Sequence, residues 1–208
     1  MSGASSPRQG NLFEGAPSVS PETGQGLDPE MRLDTEQLLR WQEALACFQG
    51  PLFAGAQHGD SQGELFSAAG SSDAASAINP LHLRAQTLHF WRWPQAPQQG
   101  AALYFVLDCV LDAPSGSPGP LLLYVGETGR ADLRWKGEHD CKHYLAAYSE
   151  AIGRAGLSCQ LSIRFWLDVP QAVRARRQLE QALIRRWQPP FNKETRQRWA
   201  TPFTADCG

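Results

Sequence analysis

Two short apolar runs, Ala102–Leu107 (ALYFVL) and Leu121–Gly126 (LLLYVG), constrain this chain more than any other feature. Between them, Asp112–Pro120 consists of Pro, Gly, Ser, Ala and one Asp, a composition that continues neither strand nor helix. The runs are therefore read as neighbouring strands of a hairpin. A third alternating run, Cys159–Asp168 (CQLSIRFWLD), is expected in the same sheet. Helices are predicted over 142–155 and over Gln171–Gln188, the second ended by Pro189 and Pro190. After Gly126-Glu127-Thr128-Gly129, Asp132 is placed to cap a short helix carrying Leu133 and Arg134. The expected fold class is α+β: a small three-stranded, mainly antiparallel sheet flanked by helices.

The first hundred residues read differently. Residues 1–30 have few large apolar side chains, too few for burial to offset chain entropy, so a largely disordered N-terminal arm is expected. Within the arm, Asp34–Phe48 has an amphipathic helical pattern. Asp34 stands at the N-cap with Gln37 three residues on, and Leu38, Trp41, Leu45 and Phe48 recur at helical spacing. Residues 50–76 return to low complexity. From Asn79 to Trp93 an extended segment suits packing on a neighbouring domain, with Trp91 and Trp93 either packed there or stacked on bases. The expected organisation is an arm over 1–78 with a helix at about 34–48, a Trp-rich connector over 79–100, a folded domain over 101–195 and a tail over 196–208.

The net charge of −2 conceals a division. Residues 1–100 carry 5 basic and 10 acidic side chains, residues 101–208 carry 14 and 11, and 170–198 alone carries 8 and 2. A basic segment of that kind is either a solvated helix face or the electrostatic footprint of phosphate binding. The five cysteines are widely spaced and form no C-x-x-C pair, which argues for a reducing compartment and against a zinc ribbon or disulfide framework. No stretch approaches the length of a membrane span, so no membrane partner is expected, and a cytoplasmic, nucleoid-associated location is the default.

Four blocks in the C-terminal half share their order and spacing with one family. Ala102-Leu103-Tyr104 stands like a G-I-Y motif, and Tyr124-Val125-Gly126 like Y-I-G. Arg134 follows eight residues after that glycine, then Trp135, Lys136 and His139. Glu180 lies on the predicted long helix, followed by Leu183-Ile184, Pro189 and, twelve residues on, Asn192. Over about 90 residues this resembles the GIY-YIG nuclease superfamily. Ala102 departs from the family's glycine, and Glu127 stands where some relatives carry Lys, a basic contact that Arg130 would have to supply.

The resemblance implies a metal-dependent endonuclease that hydrolyses DNA phosphodiester bonds, in repair or branched-DNA processing. It does not separate DNA from RNA, nor flap from branch or plain duplex. It gives Tyr104, Tyr124, Arg134, His139 and Glu180 as catalytic. Gly126, Arg130, Lys136 and Asn192 are given as substrate contacts, and Glu180 as the protein ligand of a largely water-bound Mg²⁺ or Mn²⁺. Arg134 would clamp the scissile phosphate through its planar fork. Tyr124 is favoured as base with Tyr104 as its hydrogen-bonding partner, although the proton path is not assigned by sequence. Competing readings make Glu180 a salt-bridge partner of Arg176 or Arg177, the tyrosines plain sheet residues, and the domain a nucleic-acid-binding module that does not cut.

Three copies of Q-G-x-L-F occur in the N-terminal half, beginning at Gln9, Gln49 and Gln62. They resemble the bacterial sliding-clamp-binding motif. That resemblance would make the replication clamp a partner through Leu12, Phe13, Leu52, Phe53, Leu65 and Phe66, or make the chain a clamp adaptor. Composition bias, with Leu-Phe pairs docking locally, is the competing explanation.

Overall fold

Strand β1 (Ala102–Asp108) is buried at all seven residues, and a strand without a wet face needs pairing on both edges and cover on both sides. A computed structural model of the chain, describing residues 34–55, 71–89, 99–109, 119–136, 139–201 and 203, has this arrangement. β1 lies between β2 (Leu121–Thr128) and β3 (Leu161–Trp166) in the order β2-β1-β3, antiparallel to both. The α+β class and the three-stranded sheet expected from sequence are present, and the sheet is antiparallel throughout. The expected disorder of residues 1–30 and the aromatic roles of Trp91 and Trp93 lie outside the described residues.

The helices are α1 (Thr35–Gly55), α2 (Ser71–Ala77), α3 (Ala131–Arg134), α4 (Asp140–Arg154) and α5 (Val173–Trp187). One face of the sheet, bearing Tyr104, Val106, Leu121 and Leu123, packs on Leu38 and Leu45 of α1 and on Leu145, Tyr148 and Ile152 of α4. The other face, bearing Leu103, Phe105, Leu107, Leu122 and Val125, packs on Leu179, Leu183 and Trp187 of α5, with Phe53 and Ala75. Val106 pairs with Tyr124 and Leu107 with Leu122, so Leu123 is the extra residue of a β-bulge. The bulge reverses the alternation of β2. Leu121 and Leu123 face one core, and beyond the bulge Tyr124, rather than Val125, joins them.

Helix α1 begins with a reciprocal capping box, Gln37 N donating to Asp34 Oδ1 (2.7 Å) and Asp34 N to Gln37 Oε1 (3.2 Å). It does not stop near Phe48 as the sequence pattern predicts. It continues through Gly50 and Pro51 to Gly55, because tertiary contacts outweigh the poor local propensity. Gln49, fully buried, donates to Leu122 O and Trp187 O and accepts from Leu122 N, while the Phe53 ring lies 4.6 Å from that of Trp187. The second Q-G-x-L-F copy is thus part of the core. The other two copies, with Leu12, Phe13, Leu65 and Phe66, lie outside the described residues.

Other boundaries also move. Residues 71–77, read as low complexity, form α2 against α5. Residues 80–82 make a 3-10 turn rather than an extended run, and only Gln86 pairs with β3, at Ile163. Arg164, buried in β3, holds this segment by donating to the carbonyls of Pro80, Leu81 and Leu83. The expected tail contributes Phe203 to the core and Trp199 beside it, with Trp41 Nε1 donating to Trp199 O (3.2 Å). Asp132 does not cap α3. Arg130 occupies the N-cap, and Thr128 Oγ1 accepts its backbone N–H (3.0 Å).

Because Phe53 is a core residue, Phe53→Ala is expected to destabilise the chain by about 3–5 kcal/mol in urea unfolding. An unchanged midpoint would instead mark the Leu52-Phe53 pair as free for an outside partner.

Candidate active site

The outer edge of β2 organises the site. Its backbone groups have no further strand to pair with, and side chains supply the missing partners. Asn192 acts as a surrogate strand residue, accepting from Val125 N (2.9 Å) and donating to Val125 O (2.8 Å). Phe191 N donates to Leu123 O (3.0 Å). Two residues further along β2, Glu127 N donates to Glu180 Oε1 (2.9 Å). The strand edge therefore registers both the Pro189–Asn192 segment and Glu180 of α5 against Tyr124.

The two tyrosines meet across the hairpin. Tyr104 pairs in register with Gly126, so its ring lies over that glycine and stacks on Tyr124 with centroids 5.9 Å apart. A Cβ at position 126 would fall 2.8 Å from Tyr104 Cε2 and closer still to Cζ and Oη. Glycine is required here by close approach rather than by its backbone angles. The Tyr104 hydroxyl sits 2.9 Å from His139 Nε2. His139 is the N-cap of α4, its Nδ1 accepting from Cys141 N (3.1 Å). Burial, reinforced by Arg134, pushes its pKa down to about 4, so the ring is neutral near pH 7. A neutral ring that accepts at Nδ1 carries its proton on Nε2 and donates it to Tyr104. His139 consequently orients the Tyr104 hydroxyl rather than taking its proton. Burial raises both phenols above their usual range. Arg134 pulls Tyr104 back in part, and Tyr104 pushes Tyr124 further up.

Tyr124, Arg134, His139, Glu180 and Asn192 all line one cleft of about 370 Å³, with Asp140, Tyr144, Lys193, Glu194 and Arg196 among its other walls. Of the predicted site residues, Tyr104 lies directly behind this wall, and Gly126 is buried beneath Tyr104. Arg130 and Lys136 are exposed and do not line the cleft. Asn192 lines it, but both ends of its amide are used on Val125, which makes it a positioning residue. Lys193, Glu194 and Arg196 were not singled out from sequence, and only their nearness to Asn192 could have flagged them.

Glu180 is not a partner of the arginines on its own helix. Arg176 turns inward, donating to Glu127 Oε2 (2.8 Å) and to the carbonyls of Pro170 and Gln171, while Arg177 reaches Glu127 Oε1 (3.3 Å). Glu127, one of the two departures from the pattern of the resembled family, thus has a structural role. Glu180 keeps one oxygen on the Glu127 amide and makes no ion pair among the described residues. Burial drives its pKa up from 4.5 to about 7, against the smaller opposing pull of that amide. A half-buried carboxylate with one uncommitted oxygen fits a cation, which would restore its ionised form. No group of three or more His, Cys, Asp or Glu side chains converges as a metal site among the described residues, so protein ligation would rest on Glu180. Nor is any described helix long and apolar enough to cross a membrane.

Two outcomes are expected. Gly126→Ala displaces the Tyr104 ring, read as an altered near-ultraviolet tyrosine signal together with a lowered melting temperature. The second concerns Glu180, whose folded pKa lies above its ordinary value. Between pH 4.5 and about 7 the folded chain holds a proton that the unfolded chain releases, so this residue costs stability progressively as pH rises through that window. Glu180→Gln should melt higher than the parent at pH 8 and alike at pH 4. Mn²⁺ should raise the melting temperature of the parent at pH 8 and not that of the variant.

Comparison with protein-family models, with curated proteins and with solved structures returned no match for this chain.

Proposed function

We propose that the chain is a GIY-YIG-type endonuclease that hydrolyses DNA phosphodiester bonds with Mg²⁺ or Mn²⁺. The observation that carries this reading is the convergence of Tyr124, Arg134, His139 and Glu180, from four separate elements or their junctions, on one cleft. Chain spacings that resemble the family's become, in space, a set with complementary chemistry: a guanidinium, a neutral imidazole, stacked phenols and a carboxylate without a counter-ion.

Arg134 is the group suited to a phosphoryl oxygen, since its planar fork matches a phosphate and its charge opposes the negative charge that grows in the transition state. Tyr124, which lines the cleft, is the group to hold the attacking water, with Tyr104 and His139 behind it to orient its hydroxyl. A divalent cation supplies charge neutralisation and a more acidic water when bound, and Glu180 is the residue that would hold it. With both phenols raised by burial, Tyr124 acts first as an orienting hydrogen-bond partner; it becomes a base only where added positive charge lowers its pKa. Arg134, Lys193 and Arg196 bring three cations to a cleft that also carries Asp140, Glu180 and Glu194, so it offers cations to a phosphate and carboxylates to a metal ion rather than one sign throughout. A cytoplasmic site of action, and recruitment by a clamp through Leu12-Phe13 or Leu65-Phe66, belong to the same proposal but draw no support from the fold.

The deciding experiment is cleavage of labelled duplex, flap and branched DNA with Mg²⁺ or Mn²⁺. Arg134→Ala is expected to lower the rate by about 10²–10³ and Glu180→Ala to abolish metal-dependent cutting, both with unfolding transitions like the parent's. At low Mn²⁺ the rate should fall as pH drops below about 7, where Glu180 takes up its proton, and this limb should move to lower pH as Mn²⁺ is raised. Cutting that both variants retain, or none on any substrate, would leave a nucleic-acid-binding module that does not cut.

A further inference from the structure

The eight basic residues of 170–198 do not act together. Arg176 is spent on Glu127, Arg186 lies over Trp187, Arg196 meets Tyr144, and Arg198 covers Phe48 and Trp199. Lys193 lines the cleft already described. What remains is a stripe on the outer face of α5. Arg174, Gln178, Gln181 and Arg185 recur at helical spacing with Arg177 beside them, and together with Val173 they line a shallow groove of about 820 Å³. The groove lining has three guanidiniums and no carboxylate. Arg174 and Arg185 are exposed and make no ion pair among the described residues, while Arg177 shares Glu127 and keeps most of its surface in water.

We infer that this groove is a phosphate-backbone track for duplex DNA flanking the cleft, a reading that rests on the proposed function and adds where the flanking strand runs. Continuity carries it. Gln181 lines both the groove and the cleft, so the groove runs on into the site, and the carboxylate at the junction, Glu194, accepts from Gln181 Nε2 (3.0 Å). The eleven helical steps from Arg174 to Arg185 rise about 16 Å along the helix, the length of about five base steps on one strand. Arginines at the two ends are donors only, which suits phosphate oxygens, and the Gln178 amide between them can add another donor. The partner that fits is a DNA backbone without sequence preference.

The test is binding of a labelled duplex in EDTA, so that no cutting intervenes, across a salt series, for the full chain and for Arg174→Gln/Arg185→Gln. Each phosphate contact contributes about 0.9 to the log–log salt slope. The double variant should be shallower by about 1.8, so its loss of affinity between about 50 and 200 mM salt is roughly tenfold smaller. Arg174→Lys/Arg185→Lys should keep the parental slope, which separates lost charge from lost structure. An unchanged slope in the Gln variant overturns the track. So does failure of the parent to bind duplex at about 50 mM salt, or an equal slope change with polyglutamate in place of DNA. Binding with the expected slopes but no cutting in Mg²⁺ or Mn²⁺ overturns the nuclease reading and leaves the track standing.

Discussion

The outer edge of β2 is the constraint on which the rest depends. An edge strand leaves every second N–H and C=O without a partner, and a buried, unpaired backbone group costs about 1–3 kcal/mol. Here the edge is satisfied group by group: Gln49 serves Leu122, the Phe191 amide serves Leu123, Asn192 serves Val125, and Glu180 serves Glu127. The four partners come from three places in the chain, namely α1, the segment after α5, and α5 itself. The same contacts that close the sheet therefore also bring the carboxylate, the tyrosine and the chain end into one corner. Gln49 adds a third link by donating to Trp187 O, which ties α1 to the end of α5.

Electrostatics in that corner follows from the packing. Placing Tyr104 over Gly126 buries its phenol and leaves Tyr124 half-buried at the cleft, and the Arg134 charge acts on the inner one. His139 is kept neutral by burial and by the same arginine, and its capping role fixes which nitrogen carries the proton. Burial leaves Glu180 poised near neutrality, and the two arginines that a helical spacing rule would have assigned to it pair with Glu127 instead. An acidic residue at 127, where some members of the resembled family carry Lys, thus leaves the site carboxylate without an ion pair among the described residues.

Much of the fold was legible in the chain. Alternation and turn chemistry located all three strands, and the Asp34/Gln37 pair marked the start of α1 correctly. Tyr104 and Tyr124 were expected to face one another, and they stack. Less legible was everything that depends on distant partners. Gly50 and Pro51 are local stop signals for a helix, yet α1 runs through them because Gln49 and Phe53 are anchored by β2 and Trp187. Residues 71–77, short and poor in large apolar groups, gave no periodic signal strong enough to mark α2. Trp199 and Phe203 looked like tail because their partners, Trp41 and Tyr148, lie far away in sequence.

By itself, the sequence determined the three strands, four of the five helices, the basic character of 170–198 and the spacing of the candidate site residues, because these depend on local patterns of side chains. Tertiary structure alone decided three things. The bulge at Leu123 put Tyr124 rather than Val125 on the face of Tyr104. The packing of α5 divided its arginines into one turned inward to Glu127 and others turned out to solvent. The outer edge of β2 made Asn192 a scaffold residue and Glu180 a carboxylate with an oxygen to spare. The physical reason is common to all three: a residue's face, partner and charge state depend on groups remote in the chain, which pairing and burial bring within reach only when the domain closes.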